Sequence, residues 1–288
     1  MQVSHAVVEL DGVQGDINYV RNPQPEGAEP LAFVTEDESR NTMITLPGIP
    51  MFIEDVRGQQ TSLDREGFEL VRHKSGVADF NLIEEDEAVD QLYIDEMAAL
   101  AKELTGATFV VMQGGGKKRY GKKAVQHESG DLKNAFPALY PHGDTTDTSA
   151  YALASLFAGA IPGLELGSAK RWALINLWRP ITPPPHDYPL AVCDARTTVP
   201  SDAVPVMAYT ATRGGELVFE THGYLPNPDH RWCYFRDMTP DEVLVFKTHD
   251  SDPDRAHQVA HTAFFDATCP PDAPTRGSVE MRAFCVFD

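Results

Sequence analysis

Apolar residues in this chain fall mostly into short runs parted by glycine and proline, which number 21 and 22 of the 288 residues. One stretch departs from that pattern. From Glu84 to Leu104 the apolar positions Leu92, Ile94, Met97, Leu100 and Leu104 recur at helical spacing, and Gly106 stands where a helix stop belongs. A shorter helix is predicted over Thr148 to Ala158, with Asp147 as its N-cap. The remaining apolar runs read as strands: Ala6 to Leu10, Thr108 to Met112, Trp172 to Trp178, Tyr188 to Cys193 and Glu216 to Thr221. Arg231 to Phe235, Val243 to Lys247, His261 to Phe265 and Val279 to Phe287 complete the set.

Many short strands with few helices predict a mainly β protein with flanking helices, built as a sandwich or barrel. Strands and helices do not alternate, which argues against a Rossmann-like sheet. No linker or internal repeat divides the chain, so residues 1–288 are expected to form a single domain, with residues 1–106 as an N-terminal elaboration.

Composition narrows the function classes. Twenty-four Lys and Arg against 43 Asp and Glu leave a net charge of −19, which repels phosphate backbones and anionic headgroups. The expectation is therefore no nucleic-acid or membrane partner. The one dense basic cluster is Lys117, Lys118, Arg119, Lys122 and Lys123, within QGGGKKRYGKK (113–123). That segment lacks the spacing of a phosphate-binding P-loop and reads as a solvated loop, or as a lid over an anionic substrate. No apolar run reaches the roughly 18 residues of a membrane span, and the N-terminus lacks a secretory signal. Cys193, Cys233, Cys269 and Cys285 are widely spaced and read as reduced, so a cytoplasmic protein is expected. A homodimer is the default assembly.

The chemistry lies in three motifs. His142-Gly143-Asp144 is an H-x-D triplet; in extended chain its first and third side chains share a face and reach one metal ion. His261 opens an apolar strand far downstream, and Arg276-Gly277-Ser278 follows fifteen residues later. Two imidazoles and one carboxylate on one side of an octahedral metal leave three positions open, as in non-haem Fe(II) oxygenases. Those positions suit a bidentate 2-oxo acid and O₂. An arginine and a serine two residues apart on a strand share a face and can grip the far carboxylate of 2-oxoglutarate. On the residues alone, two other readings stay open: a cupin-like metalloenzyme of non-oxidative type, and a non-catalytic small-molecule binding barrel.

The second half carries a resemblance. NLWRPI (176–181), DYPLAVCDAR (187–196), HRWCYF (230–235), DMTPDEVLVFK (237–247), HTAF (261–264) and RGSVEMR (276–282) resemble the AsaB/CmcJ-type hydroxylase/desaturase family. That resemblance implies a double-stranded β-helix, or jelly roll, over residues 107–288. It also implies Fe(II), 2-oxoglutarate and O₂, and hydroxylation, desaturation or cyclisation of a small-molecule secondary metabolite. Carried onto this sequence, the metal ligands would be His142, Asp144 and His261, and the 2-oxoglutarate anchor Arg276 with Ser278. Arg282 lies on the same strand face as Arg276 and stands as a second candidate anchor or a substrate contact.

Four more residues are pocket candidates. Asn176 and Trp178 share a strand face, opposite Ile175 and Leu177, and either line the iron cavity or fill the core. Arg179 either grips a substrate carboxylate or pairs with Asp187 or Asp194, and Tyr188 either bonds 2-oxoglutarate or packs in the core. Cys193 reads as a small buried hydrophobe, DMTPDE (237–242) as a turn, and His230, His249 and His257 as non-ligands.

Overall fold

The computed structural model of the chain describes residues 10–21, 31–34, 41–43, 45–121, 137–212 and 215–288. Their elements are β1 (Gly12–Ile17), β2 (Leu31–Val34), β3 (Ile49–Asp55), β4 (Phe68–Arg72), α1 (Glu87–Thr105), β5 (Phe109–Met112), β6 (Lys117–Tyr120) and β7 (His142–Gly143). There follow α2 (Asp147–Ala158), β8 (Arg171–Pro180), β9 (Leu190–Cys193), β10 (Ala203–Thr212), β11 (Gly215–Tyr224), β12 (Trp232–Tyr234), β13 (Glu242–Asp250), β14 (His261–Ala263) and β15 (Gly277–Phe287).

Two sheets result. The larger runs β1-β3-β12-β9-β14-β7-β11-β10-β2, and the smaller runs β4-β13-β8-β15-β5 with β6 also on β15. Strand alternation divides the smaller sheet cleanly. Ile175, Leu177, Val243, Val245, Val279, Met281 and Ala283 face outward and pack under Tyr93, Met97, Leu100 and Ala101 of α1. Their alternates turn inward, where Trp178, Leu244 and Phe246 meet Leu190 and Val192 of the larger sheet. The functional cavity occupies part of this inner space. Helix α2 covers another part of it, seating Ala150, Ala154 and Ala158 on Trp172, Leu174, Phe284 and Val286.

Helix ends depart slightly from expectation. Glu84 takes φ 69°, so α1 starts only at Glu87, with Asp86 accepting from the amides of Ala88 and Val89. Its end is as expected: Gly106 caps it in the left-handed region at φ 68°, which favours glycine. The cap of α2 is Thr146, not Asp147; Thr146 and Ser149 form a reciprocal capping box, and Asp147 is the first helical residue.

The basic segment is the main correction. Lys117–Tyr120 is a strand, paired with β15 in the register Ser278↔Arg119 and Glu280↔Lys117. Lys122 and Lys123 lie outside the described residues, as does most of the strand expected at Ala6 to Leu10; Leu10 itself is exposed and not in a strand. Strand β10 was not among the expected strands, and it carries Pro205, a residue kept out of strand interiors that are paired on both sides. Its neighbour β2 pairs only with Val206 to Tyr209, so Pro205 sits beyond the end of that ladder.

Candidate metal centre and anion pocket

Strands β7 and β14 are neighbours in the larger sheet, and His142 lies directly opposite His261 in their antiparallel register. Directly opposed side chains point to the same side of a sheet, and the two imidazole rings stand 4.2 Å apart, centroid to centroid. His142 Nδ1 lies 3.0 Å from the Tyr140 carbonyl and His261 Nδ1 3.2 Å from the Val259 carbonyl, each two residues back in the chain. Carbonyls only accept, so both Nδ1 atoms carry the proton and both Nε2 lone pairs are left free. Metal-binding histidines are oriented in this way. Asp144 completes the group, with Oδ1 3.9 Å from His261 Nε2. One donor atom from each of the three side chains lies within 4.8 Å of the others.

The segment 142–145 is held from beneath by Gln258. Its side-chain amide donates to the Thr145 and Thr248 carbonyls, and its oxygen accepts from His222 and Tyr224. Thr221 donates to the Gly143 carbonyl. Gln258 packs so closely that a Cβ at position 143 would fall 2.6 Å from its side chain, so any residue larger than glycine there has to displace the Gln258 amide from its hydrogen bonds.

Electrostatics hold the set ready for a cation. Burial and the neighbouring His261 push the His142 imidazole down to about 3, so it is neutral near pH 7. Burial alone would raise the Asp144 carboxyl, but Arg282 and the two imidazoles outweigh it and hold the group well below the usual carboxylate range. Arg282 grips both oxygens, Nη2 to Oδ1 at 2.8 Å and Nε to Oδ2 at 3.2 Å. Asn176 adds a longer contact, Nδ2 to Oδ2 at 3.4 Å.

Across the cavity, the smaller sheet presents cations. Arg276 is buried, and its Nε and Nη2 have no hydrogen-bond partner, while the guanidinium lies 5.3 Å over the Trp178 ring. Burial and the nearby Arg119 push it down to about 10. An arginine so placed lacks only an anion. Arg119, from the basic strand β6, donates to Glu280 at 2.9 Å. Arg119, Glu280 and Arg282 line the cavity together with Arg276, His142 and His261. Three arginines against the carboxylates of Glu280 and Asp144 make it a pocket for an acid.

The candidate residues thus divide. His142, Asp144 and His261 converge, and Arg276, Arg282 and Trp178 line the same cavity. Asn176 stands behind Asp144, and Ser278 is buried on the inward side of β15. Arg179 is placed elsewhere: its odd number turns it to the α1 face, where it donates to Tyr93, to the His73 and Pro240 carbonyls and to His73 Nδ1. It pairs with neither Asp187 nor Asp194. Tyr188 is half-buried and packs its ring at a tilt against the exposed Phe265, outside the cavity lining and outside the core. Arg119 and Glu280 were missed. The only signal for Arg119 was its basic run, and a run of KKR conceals the alternation that marks a strand.

A family model described as Oxidoreductase/YMDC permease-like domain matches residues 17–286. Hydroxylase/desaturase efuI of Hormonema carpetanum is 30% identical over 303 aligned positions, covering 98% of each chain. The chain belongs to this hydroxylase/desaturase family. Fe(II)/2-oxoglutarate-dependent dioxygenase nvfI of Aspergillus novofumigatus is 31% identical over 79% of this chain and 80% of that one. The solved structure of the iron and alpha-ketoglutarate-dependent endoperoxidase NvfI matches with a TM-score of 0.78 at 26% identity, covering 96% of this chain and 98% of that one. The chain is accordingly an Fe(II)/2-oxoglutarate-dependent oxygenase with a jelly-roll core, and it uses O₂. The non-oxidative and purely binding readings fall away. No helix among the described residues is long and apolar enough to cross a membrane.

Proposed function

We propose that His142, Asp144 and His261 hold the Fe(II), that Arg276 with Ser278 anchors the C5 carboxylate of 2-oxoglutarate, and that the reaction is hydroxylation, desaturation or cyclisation of a small secondary metabolite. The observation that carries this reading is the opposition of two half-sites. Two imidazoles with free Nε2 atoms and a fixed carboxylate face a buried guanidinium with two unpaired N–H-bearing nitrogens. The donor set fits Fe(II), being two imidazole nitrogens and one carboxylate oxygen. The orphaned Arg276 fits a dianion whose other end reaches the metal.

Bound Fe(II) and 2-oxoglutarate supply the O₂ chemistry that oxidises a C–H bond as the 2-oxo acid loses CO₂ to give succinate. The chain's own residues supply position. The Tyr140 and Val259 carbonyls fix the two histidine tautomers, and Arg282 fixes the rotation of Asp144 while leaving lone pairs for the metal. Trp178 walls Arg276 from water, which strengthens any ion pair made there. Arg119 and Glu280 add polar groups to the remaining wall. The chain acts as one oxygenase domain, residues 1–106 contributing strands to both sheets and the supporting helix α1.

Anaerobically reconstituted protein given Fe(II), 2-oxoglutarate and O₂ should form succinate. The His142→Ala variant should form none, and full turnover by it would remove His142 from the ligand set.

A further inference from the structure

We infer that Asp147, His249 and His257 form a second site, separate from the iron centre, for a divalent transition metal such as Zn²⁺. One donor atom from each lies within 4.8 Å of the others. His257 Nε2 is 2.8 Å and His249 Nδ1 is 3.7 Å from the same oxygen, Asp147 Oδ1. These lengths bracket the edge of about 3.3 Å between ligands in a tetrahedral zinc site.

Hydrogen bonding favours a cation among the three. His257 Nδ1 lies 2.9 Å from the Asp250 carbonyl and carries a proton there, while Nε2 lies 2.8 Å from Asp147 Oδ1, a contact that needs a second proton or a metal ion between the two atoms. This is the backbone support that metal-bound imidazoles receive. His249 is buried, with 6% of its surface exposed, and its Nδ1 has no hydrogen-bond partner although it points towards Asp147. A metal ion would satisfy both lone pairs and the carboxylate together.

The backbone is shaped for this. The ladder between β13 and β8 slips between Lys247 and His249, so that His249 rather than Thr248 faces Leu174. Such bulges re-aim a side chain. The slip turns His249 inward, where it stacks on Trp172 at 4.6 Å, and its free nitrogen meets the first turn of α2. His257 is half exposed and Asp147 lies at the surface, so the site is open to solvent for loading and for further ligands from water. The proposed site departs from the expectation that His249 and His257 are non-ligands. A metal here would tie β13 and the segment before β14 to α2, which begins three residues after Asp144.

The test is equilibrium dialysis of tag-free, chelator-stripped protein against Co²⁺ and Zn²⁺, followed by metal analysis. Wild type should take up two equivalents. His257→Ala and Asp147→Asn, both at accessible positions, should each take up one and still bind at the iron centre. His142→Ala should likewise lose one equivalent, but the other one. Zn²⁺ should raise the melting temperature of His142→Ala and leave that of the double variant His142→Ala/His257→Ala unchanged. Equal stoichiometry for wild type and His257→Ala, both folded by circular dichroism, would overturn the proposal and leave a proton on His257 as the occupant. Undiminished uptake by His142→Ala, with one equivalent still lost in His257→Ala, would count against the iron assignment and not against this one.

Discussion

Arg282 closes on Asp144 with two nitrogens, one to each carboxylate oxygen. Arg276, six positions earlier and on the same side of the chain, keeps Nε and Nη2 without partners. Both arginines line one cavity, so sequence alone left both as candidate anchors for 2-oxoglutarate. Their pairing separates them, and the separation is measurable. Arg276→Ala should raise KM for 2-oxoglutarate by about 10- to 100-fold, because it removes charge-assisted hydrogen bonds of about 1.5–3 kcal/mol. Arg282→Met should leave that KM within about threefold and instead weaken Fe(II) by about 10- to 100-fold, as loss of an outer-shell partner does. Steady-state titrations of each component decide between them, and the opposite pattern would exchange the two roles.

Gly143→Ala should destabilise the metal-free protein by about 1–3 kcal/mol, the usual range for forcing atoms into a packed site. The added Cβ meets Gln258, which braces the Thr145 and Thr248 carbonyls. Urea unfolding measures the loss. A wild-type midpoint would mean that Gln258 gives way freely and does not hold the triplet.

Arg179→Met tests the placement of that side chain on the α1 face. It removes donors from the partly buried His73 and Pro240 carbonyls and from the buried Tyr93, and should cost about 3 kcal/mol of stability. KM for 2-oxoglutarate and for substrate, measured on the folded fraction, should stay at wild type. A raised KM with unchanged stability would return Arg179 to the pocket.

The buried, neutral His142 should also make stability depend on pH. The His142 imidazole is held at about 3 against an unfolded value of 6.5, so the unfolded chain takes up a proton that the folded chain refuses. Its contribution is complete above about pH 6.5 and is lost as pH falls towards the folded value. With chelator present, the urea midpoint of the wild type should therefore fall more between pH 7 and pH 5 than that of His142→Asn. Comparing the two cancels the easing of acidic repulsion across the rest of the chain. Equal falls would show His142 accessible to protons in the folded state.

Much of this architecture was legible in the residues, for identifiable reasons. Helix α1 carries a one-sided apolar pattern and a glycine stop, and strands such as β8 and β15 are apolar on the face under that helix. The H-x-D triplet and His261 were legible because metal ligation demands particular atoms at particular spacing. Strand β6 was not, since Lys117 to Tyr120 serve a salt-linked wall and show no apolar face. The fate of Arg179 turned on parity: one position along β8 separates the cavity wall at Trp178 from the helix-facing side. His249 faces Leu174 through the bulge beside it, a backbone slip that no composition reveals.

The most direct trial of the iron and 2-oxoglutarate assignment is a crystal grown and soaked without oxygen in Mn(II) and 2-oxoglutarate, read by anomalous diffraction at the manganese edge. A peak within bonding reach of His142 Nε2, an Asp144 oxygen and His261 Nε2, with the far carboxylate of the 2-oxo acid on Arg276, is the predicted result. A metal bound without His261, or a carboxylate held by Arg282 with Arg276 still unpaired, would contradict the account.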